Sequence, residues 1–397
     1  MSRSVLVTDG DERSALAVVR SLGRSGHQVY VCSTSGRSIA GASRYAAGEQ
    51  KVADSLASPA AFTSDLHKVI VELGIELLLP MTEQAFNAIF ADPERFTGVS
   101  MPTASAQAFL AISDKEAVMK AAAASGLRVP AQVVVAGLSD VETLDECELC
   151  FPVVVKPARS IARSDGKQFK VGVKHCADAA ALRHALAAIP TNAYPLLVQQ
   201  RVIGPGVGIF LLLWDAELVA TFAHRRIREK PPAGGVSVYR ESIRADPALV
   251  DQSRRLLDSF GWRGVAMIEY KIDERTGTPF IMEINARFWG SLQLAIDAGV
   301  DFPSLLIARA DGEVVYGPSQ YKVGIRSKWE WGEVDYARAR FWRSDEQLSL
   351  PPGSPGRVRA VLGLLIPWRP RDRFEVFRLG DPRPFFRETV QYFAGRR

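Results

Sequence analysis

The chain has 397 residues, 47% of them hydrophobic and 23% charged, which is ordinary for two to three domains with normal cores. A net charge of +5 fits an anionic small ligand, or a weakly basic surface toward nucleic acid or membrane, without choosing between them. No apolar run approaches the roughly 18 residues of a membrane span, and "MSRSVLVTDGDERS" reads as a first strand and not a signal peptide, so a cytoplasmic protein is expected.

Residues 1 to about 110 alternate strand and helix patterns. "SVLVTDG", "HQVYVCST" and "IELLLPMTE" read as strands, "RSALAVVRSLGRSG" and "SPAAFTSDLHKVIVELG" as helices. Short strands separated by helices predict a doubly wound parallel sheet. "TDGDERS" stands where a dinucleotide fold carries its glycine fingerprint, but Gly10 alone is not that motif. Glu83 follows the third strand, at the edge where such sheets bind ligands; a solvated loop carboxylate is equally compatible.

"SDKEAVMKAAAASGLRVP" predicts a helix capped by Ser113, with Glu116 completing a capping box and Gly126 ending it. "VPAQVVVAG" is a strand and "SDVETLDECELC" a helix. Cys147 and Cys150 form a lone CxxC inside it; with Cys32 and Cys176 they read as ordinary thiols, not a zinc or redox site. "FPVVVKPARSIARSDGKQFKVGVKH" predicts two strands around a long basic tip. "CADAAALRHALAAIP" and "DPALVDQSRRLLDSFGW" are helix-type segments. "YPLLVQQRVIGPGVGIFLLLWDAELVATFAHRRIRE" reads as three strands of an antiparallel meander, and "GVAMIEYKIDERTGTPFIMEINAR" as a hairpin turning near Thr276 and Gly277. The expected units are 1–110, 111–195, 196–325 and a basic aromatic extension, 326–397. That extension reads as a packing appendage or as a surface for an anionic partner.

Five constellations carry chemistry. Lys156 ends the buried run "FPVVVK", where a cation needs an anionic partner or a solvated sheet edge. Lys115 lies in the first turn of a helix, where a bound phosphate would offset the macrodipole; an exposed lysine is the plain alternative. "LLVQQRVIG", residues 196–204, is an extended segment leaving a sheet, with backbone groups complementary to an adenine edge or simply at a strand end. Glu269 and the Glu283/Asn285 pair occupy the two arms of one hairpin, within about 5 Å on one face. Two such carboxylates repel unless a cation joins them, and with an amide they make a hard oxygen set suited to Mg²⁺. In "PFIMEINARF" alternation aligns Glu283, Asn285 and Arg287, a pattern that neither a salt bridge nor solvation explains; the rival is a polar network with Arg287 as counterion. Arg226 and Arg228, at alternate positions before "PPAGG", would face one anion cleft, or belong to a solvated loop.

Taken in order, Lys115, Lys156, "VQQRVIG", Glu269 and "MEINARF" resemble the ATP-grasp superfamily, of carboxylate–amine ligase type with a carbamoyl-phosphate-synthase large-chain-like ATP-binding fold. The resemblance covers nearly all of 1–310, and "EINAR" is close to the "EINPR" signature, with Ala286 in place of proline. It implies α/β plus α+β architecture: an N-terminal doubly wound pre-ATP-grasp domain, then two subdomains whose antiparallel sheets sandwich the nucleotide. It further implies that Lys115 and Lys156 neutralise ATP phosphates and that Gln199, Gln200 and Val202 line the adenine hinge. Glu269, Glu283 and Asn285 would hold Mg²⁺ (or Mn²⁺), Arg287 would steady the γ-phosphate and acyl phosphate, and the loop from Ala158 to Lys170 would fold over the phosphates. Two departures are visible: Gln200 stands in a slot that is usually acidic, and "GPGVG" lacks the acid that many members place near the ribose or substrate.

The expectation is an ATP- and Mg²⁺-dependent ligase joining a small-molecule carboxylate to an amine, with Glu83, Arg226 and Arg228 toward the substrate; a homodimer is compatible with it. The rivals are a phosphotransferase or a ligase using a thiol or hydroxyl acceptor, a nucleotide-binding regulator without turnover, and a nucleic-acid or membrane-surface protein. The last rests only on net charge and the tail, whose removal is expected to spare ATP binding.

Overall fold

The computed structural model describes residues 2–143, 150–164, 167–350, 354–360 and 370–395. The front of the chain runs β1 (Ser4–Val7), α1 (Arg13–Arg24), β2 (Gln28–Ser33), β3 (Gly48–Lys51), α2 (Pro59–Leu73), β4 (Leu77–Leu79) and α3 (Glu83–Phe90). Its strands form a parallel sheet in the order β3-β2-β1-β4. Alternation on β1 explains the double winding: Val5 and Val7 pack in the core that contains α1, whereas Leu6 packs with Phe62 and Leu66 of α2 and Ala85 and Ile89 of α3. Gly10 serves close packing after β1, since a Cβ there would sit 2.3 Å from Ser38 Oγ and 2.5 Å from Val31 Cγ1.

A second unit runs α4 (Ala106–Ile112), α5 (Lys115–Ala124), β5 (Gln132–Val135), α6 (Leu138–Thr143), β6 (Val153–Pro157), β7 (Ile161–Ser164), β8 (Lys167–Lys170), β9 (Lys174–Cys176), α7 (Ala179–Ala187) and β10 (Leu196–Gln200). Its antiparallel sheet has the order β5-β10-β6-β9, and β7 with β8 forms a separate hairpin inside the expected basic tip. Two expectations are corrected here. The cap of α5 is Asp114, whose carboxylate accepts from the N–H of Glu116 (3.0 Å) and Ala117 (3.2 Å); Ser113 instead closes α4. The strand "LLVQQ" does not open the meander: β10 pairs with β5 and β6, because its apolar residues complete the small core around Val153 and Leu182. Of the CxxC pair, Cys147 lies outside the described residues, while Cys150, Cys32 and Cys176 are free thiols.

The remainder runs β11 (Gly206–Trp214), β12 (Glu217–Lys230), β13 (Val236–Ser242), α8 (Pro247–Ser259), β14 (Gly264–Ile272), β15 (Pro279–Asn285), α9 (Leu292–Ala298), α10 (Phe302–Ala310), β16 (Arg326–Lys328), α11 (Glu330–Trp342), β17 (Asp372–Phe374) and α12 (Arg383–Phe393). Seven strands form one sheet in the order β15-β14-β11-β12-β13-β16-β17. The turn between β14 and β15 uses Gly277 at φ 71°, as expected from the sequence. On β11 one face carries Val207, Ile209, Leu211 and Leu213 into the core under α5 and α8. The other face carries Phe210 and Leu212 into the core shared with the front sheet, but only Gly206 and Gly208 at its open end. There the Arg226 side chain lies over Gly206 and the Phe210 ring over Gly208, where a Cβ would come within 2.8 and 2.7 Å of them.

The C-terminal extension packs into the fold, as the reading of it as a packing appendage expects. Strands β16 and β17 complete the large sheet. Glu375 pairs with Arg13 of α1 (2.5 Å) and with Arg240 of β13, and Asp381 binds Arg20 (2.9 Å) and Ser43 (2.7 Å). These groups are buried, so losing one partner strands a charge in the interior.

Candidate active site

Between the small and large sheets lies a cavity of about 550 Å³, with a second of about 380 Å³ beside it, under the front sheet and the β7–β8 hairpin. Glu283, Asn285 and Arg287 line both. Residues 199–204, where the chain passes from β10 to β11, form one end of the larger cavity. Gly204 is needed there: φ is 148°, and a Cβ would lie 1.8 Å from the Ile272 carbonyl oxygen. Gln199 is buried and donates to Gln132 (2.9 Å); Gln200 and Val202 line the same end.

Lys156 comes from β6 and is buried, its Nζ donating to the Met282 carbonyl (3.1 Å). Burial pushes its ammonium down to about 8, with Glu283 pulling the other way. Lys115 is also buried, donates to Ser160 Oγ (2.6 Å) and lines the smaller cavity. Glu83 opens α3 into that cavity; burial pushes its carboxyl up, and Lys115 and Arg287 pull it back.

Glu269 on β14 pairs directly with Glu283 on β15, and Met267 with Asn285. The Asn285 Nδ2 donates to Glu269 (3.0 Å) and Glu283 (3.3 Å). Burial opposes ionisation of both acids. Glu283 nevertheless lies below its ordinary value because Lys115, Lys156 and Arg226 outweigh burial; Glu269 is pushed up, with Arg226 restraining the rise. Arg287 is corrected in one respect: β15 ends at Asn285, so the following turn, and not strand alternation, brings Arg287 in. Its Nη2 donates to Asn285 Oδ1 (3.3 Å).

The counterion of Glu269 is Arg226, at 2.5 Å, so a salt bridge does account for part of this face. Arg226 also binds Glu229 (2.8 Å). Arg228 is not beside it. Register shifts on both sides of Arg228 break the alternation of β12, and Arg228 turns to Glu333 and stacks 4.5 Å from the Tyr239 ring centre. Among the described residues no cluster of three or more His, Cys, Asp or Glu assembles. The donor set is two carboxylates and one amide oxygen, opening on the cavity. It fits a Mg²⁺ ion that keeps waters and shares phosphate oxygens, with Arg226 yielding part of its hold on Glu269.

Sequence reasoning missed Arg13, Glu12, His175, Trp289 and Ser291, which also line the cavities, as does Lys170 at the end of the expected phosphate loop. No local signal marks Arg13 or Glu12, which arrive at the start of α1.

The parallel front sheet, followed by two antiparallel sheets closing on a cavity lined by lysines and carboxylates, defines an ATP-grasp fold. Residues 192–332 match the family model "ATP-grasp in the biosynthetic pathway with Ter operon". No curated protein matches the chain in sequence. Among solved structures it is similar to an L-amino acid ligase from Bacillus licheniformis (17% identity, TM-score 0.60, 78% of this chain and 75% of that one). It is also similar to a biotin carboxylase from Campylobacter jejuni (14%, 0.64, 82% and 74%) and to an N5-carboxyaminoimidazole synthetase from Staphylococcus aureus (15%, 0.61, 82% and 81%). Over residues 192–332 the chain is similar to an ATP-grasp family, and its fold is that of these ATP-grasp structures. No helix among the described residues is long and apolar enough to cross a membrane.

Proposed function

We propose that the protein is an ATP- and Mg²⁺-dependent ligase that activates a small-molecule carboxylate as an acyl phosphate and joins it to an amine. The observation that carries this reading is the shared wall: Glu283, Asn285 and Arg287 face two cavities at once. A phosphate donor in the larger cavity and a carboxylate in the smaller one then meet across the same three side chains. Likeness of fold to an L-amino acid ligase supports the same chemistry.

In this reading Gln199, Gln200 and Val202 hold the adenine and Lys156 the phosphates, with Lys115 reaching the transferring phosphate from the smaller cavity. Glu269, Glu283 and Asn285 would hold Mg²⁺ (or Mn²⁺), which when bound neutralises phosphate charge. Lys115, Lys170 and Arg287 supply positive charge for the substrate carboxylate in the smaller cavity. One carboxylate oxygen attacks the γ-phosphorus; the bond to the β-phosphate oxygen breaks and ADP leaves with the electron pair. The amine lone pair then forms the C–N bond, the C–O bond to phosphate breaks, and the amine's surplus proton leaves on the released phosphate. Arg287 steadies the charge that gathers on the transferring group.

Hydroxylamine trapping tests this. With ATP, Mg²⁺ and a panel of amino acids and small acids, at least one acid should give a hydroxamate, the product of acyl phosphate capture. ADP release with a phosphorylated acceptor and no hydroxamate indicates a phosphotransferase, and ATP binding without ADP release a regulator; either overturns the ligase reading.

A further inference from the structure

The larger cavity extends past the metal-type face, away from the hinge, to an end that no phosphate or metal role uses. There His224, Arg13, Trp289, Gly290 and Ser291 line it. Cross-strand pairing places Glu283, Glu269, Gly208 and His224 in one row on one face of the sheet. Gly208 carries no side chain, and the Phe210 ring takes its place, so that a Cβ there would lie 2.7 Å from Phe210 Cζ; two strand spacings put His224 roughly 10 Å from Glu269 across the sheet.

His224 is buried, yet neither of its ring nitrogens has a hydrogen-bond partner among the described residues. Its ring stands edge-on to Phe210 (centroids 4.7 Å, 86°), so packing holds it in place without satisfying it. The Trp289 Nε1–H is likewise buried and unpartnered. Leaving such groups unpaired is costly, which points to a ligand that supplies the missing bonds. Arg13 adds a cation: Nη1 is held by Glu375 (2.5 Å), the guanidinium lies 3.9 Å from the Trp329 ring centre, and Nη2 reaches Gly290 so closely that a Cβ there would lie 2.9 Å away.

Resting on the ligase reading, we propose that this end seats the second substrate, the amine, in the form of an amino acid. A ring nitrogen of His224 accepts an N–H of the uncharged amino group, while Arg13 and the Trp289 Nε1–H take the carboxylate. Donors at one side and an acceptor at the other are the complement of that pair of groups. Burial, with Arg226 and Arg240 nearby, holds the imidazole well below its ordinary value, so His224 meets the amine as an acceptor. The free amine is the form whose lone pair can attack the acyl carbon beside Arg287.

The test pairs amino acids in the ATP and Mg²⁺ assay, identifying the activated acid by hydroxamate formation and the amine by incorporation into product. In His224→Phe, KM for the amine should rise about tenfold, while the ATP dissociation constant and the hydroxamate rate change less than about twofold. His224→Gln, which keeps an acceptor, should recover part of the loss, separating hydrogen bonding from shape. Equal loss of hydroxamate and amide in His224→Phe, or an unchanged amine KM, overturns the assignment. If the wild type makes hydroxamate but incorporates no amino acid amine, the ligase reading stands and this assignment falls. If it makes no hydroxamate with any acid, the ligase reading falls and takes the assignment with it.

Discussion

Strands β15 and β12 line the same cavity, and both show polar residues at alternate positions, yet only one can be read from that alternation. On β15, Glu283 and Asn285 face the cavity together, since the register with β14 continues from Met267 to Glu269 and shifts only beyond them, between Glu269 and Tyr270. On β12, Arg226 and Arg228 have the same spacing but part company: Arg226 reaches Glu269, and Arg228 reaches Glu333 under α11. A bulge moves every later side chain to the opposite face, and nothing in "HRRIREK" announces one. Period-two spacing therefore identifies a shared face only where the register is known to continue.

The strongest way to break this comparison is on β15. Glu283→Ala removes an acid that faces both cavities, and turnover should fall at least about a thousandfold while thermal unfolding stays cooperative. Full activity would remove the metal and phosphate face altogether. On β12 the two arginines should separate cleanly. Arg226→Ala leaves Glu269 without its counterion and should lower turnover about a hundredfold. Arg228→Ala loses the Glu333 pair and the Tyr239 stack, and should cost about 3 kcal/mol of stability with the KM for ATP unchanged. Equal kinetic effects in both would mean that the two arginines share a site after all.

A smaller effect tests the far side of the sheet, where α11 holds the C-terminal segment. Glu330 accepts N–H bonds from Phe377 (2.7 Å) and Val376 (3.3 Å), and burial still pushes its carboxyl from 4.5 up to about 7. The folded value lies above the unfolded one, so its contribution is fully present in acid and lost as pH rises through about 7. Relative to Glu330→Gln, the wild type should lose at most about 3 kcal/mol between pH 4.5 and 8, read from denaturant midpoints. A parallel pH dependence in the two proteins would show that this carboxyl titrates alike in the folded and unfolded chain.

Much of the fold was legible because its signals are local. Valines and leucines in short runs between amphipathic helices implied the parallel front sheet, and the hairpin of β14 and β15 was marked by its turn and by Glu269, Glu283 and Asn285. The cap of α5 was misplaced by one residue because Ser113 and Asp114 are both able to cap; the end of α4 claims the serine. The place of β10 was missed because sheet membership depends on partners, and its partners β5 and β6 lie earlier in the chain. The tail looked like an appendage because the residues that Glu375 and Asp381 pair with, Arg13, Arg20 and Arg240, are distant in sequence.

By itself the amino-acid order determined which chemistry is available: hard oxygen donors on one hairpin, lysines at a strand end and a helix start, and an extended hinge with glycine where backbones nearly touch. Those are consequences of side-chain type and local periodicity, which a linear sequence carries. Tertiary structure alone decided who neutralises whom. It gave Glu269 to Arg226, sent Arg228 to Glu333, brought Arg13 from the first loop, and left His224 in the cavity wall with both nitrogens unpaired. Charge pairing acts through space over a few ångströms, and residues that close in the fold are separated here by tens or hundreds of positions in the chain.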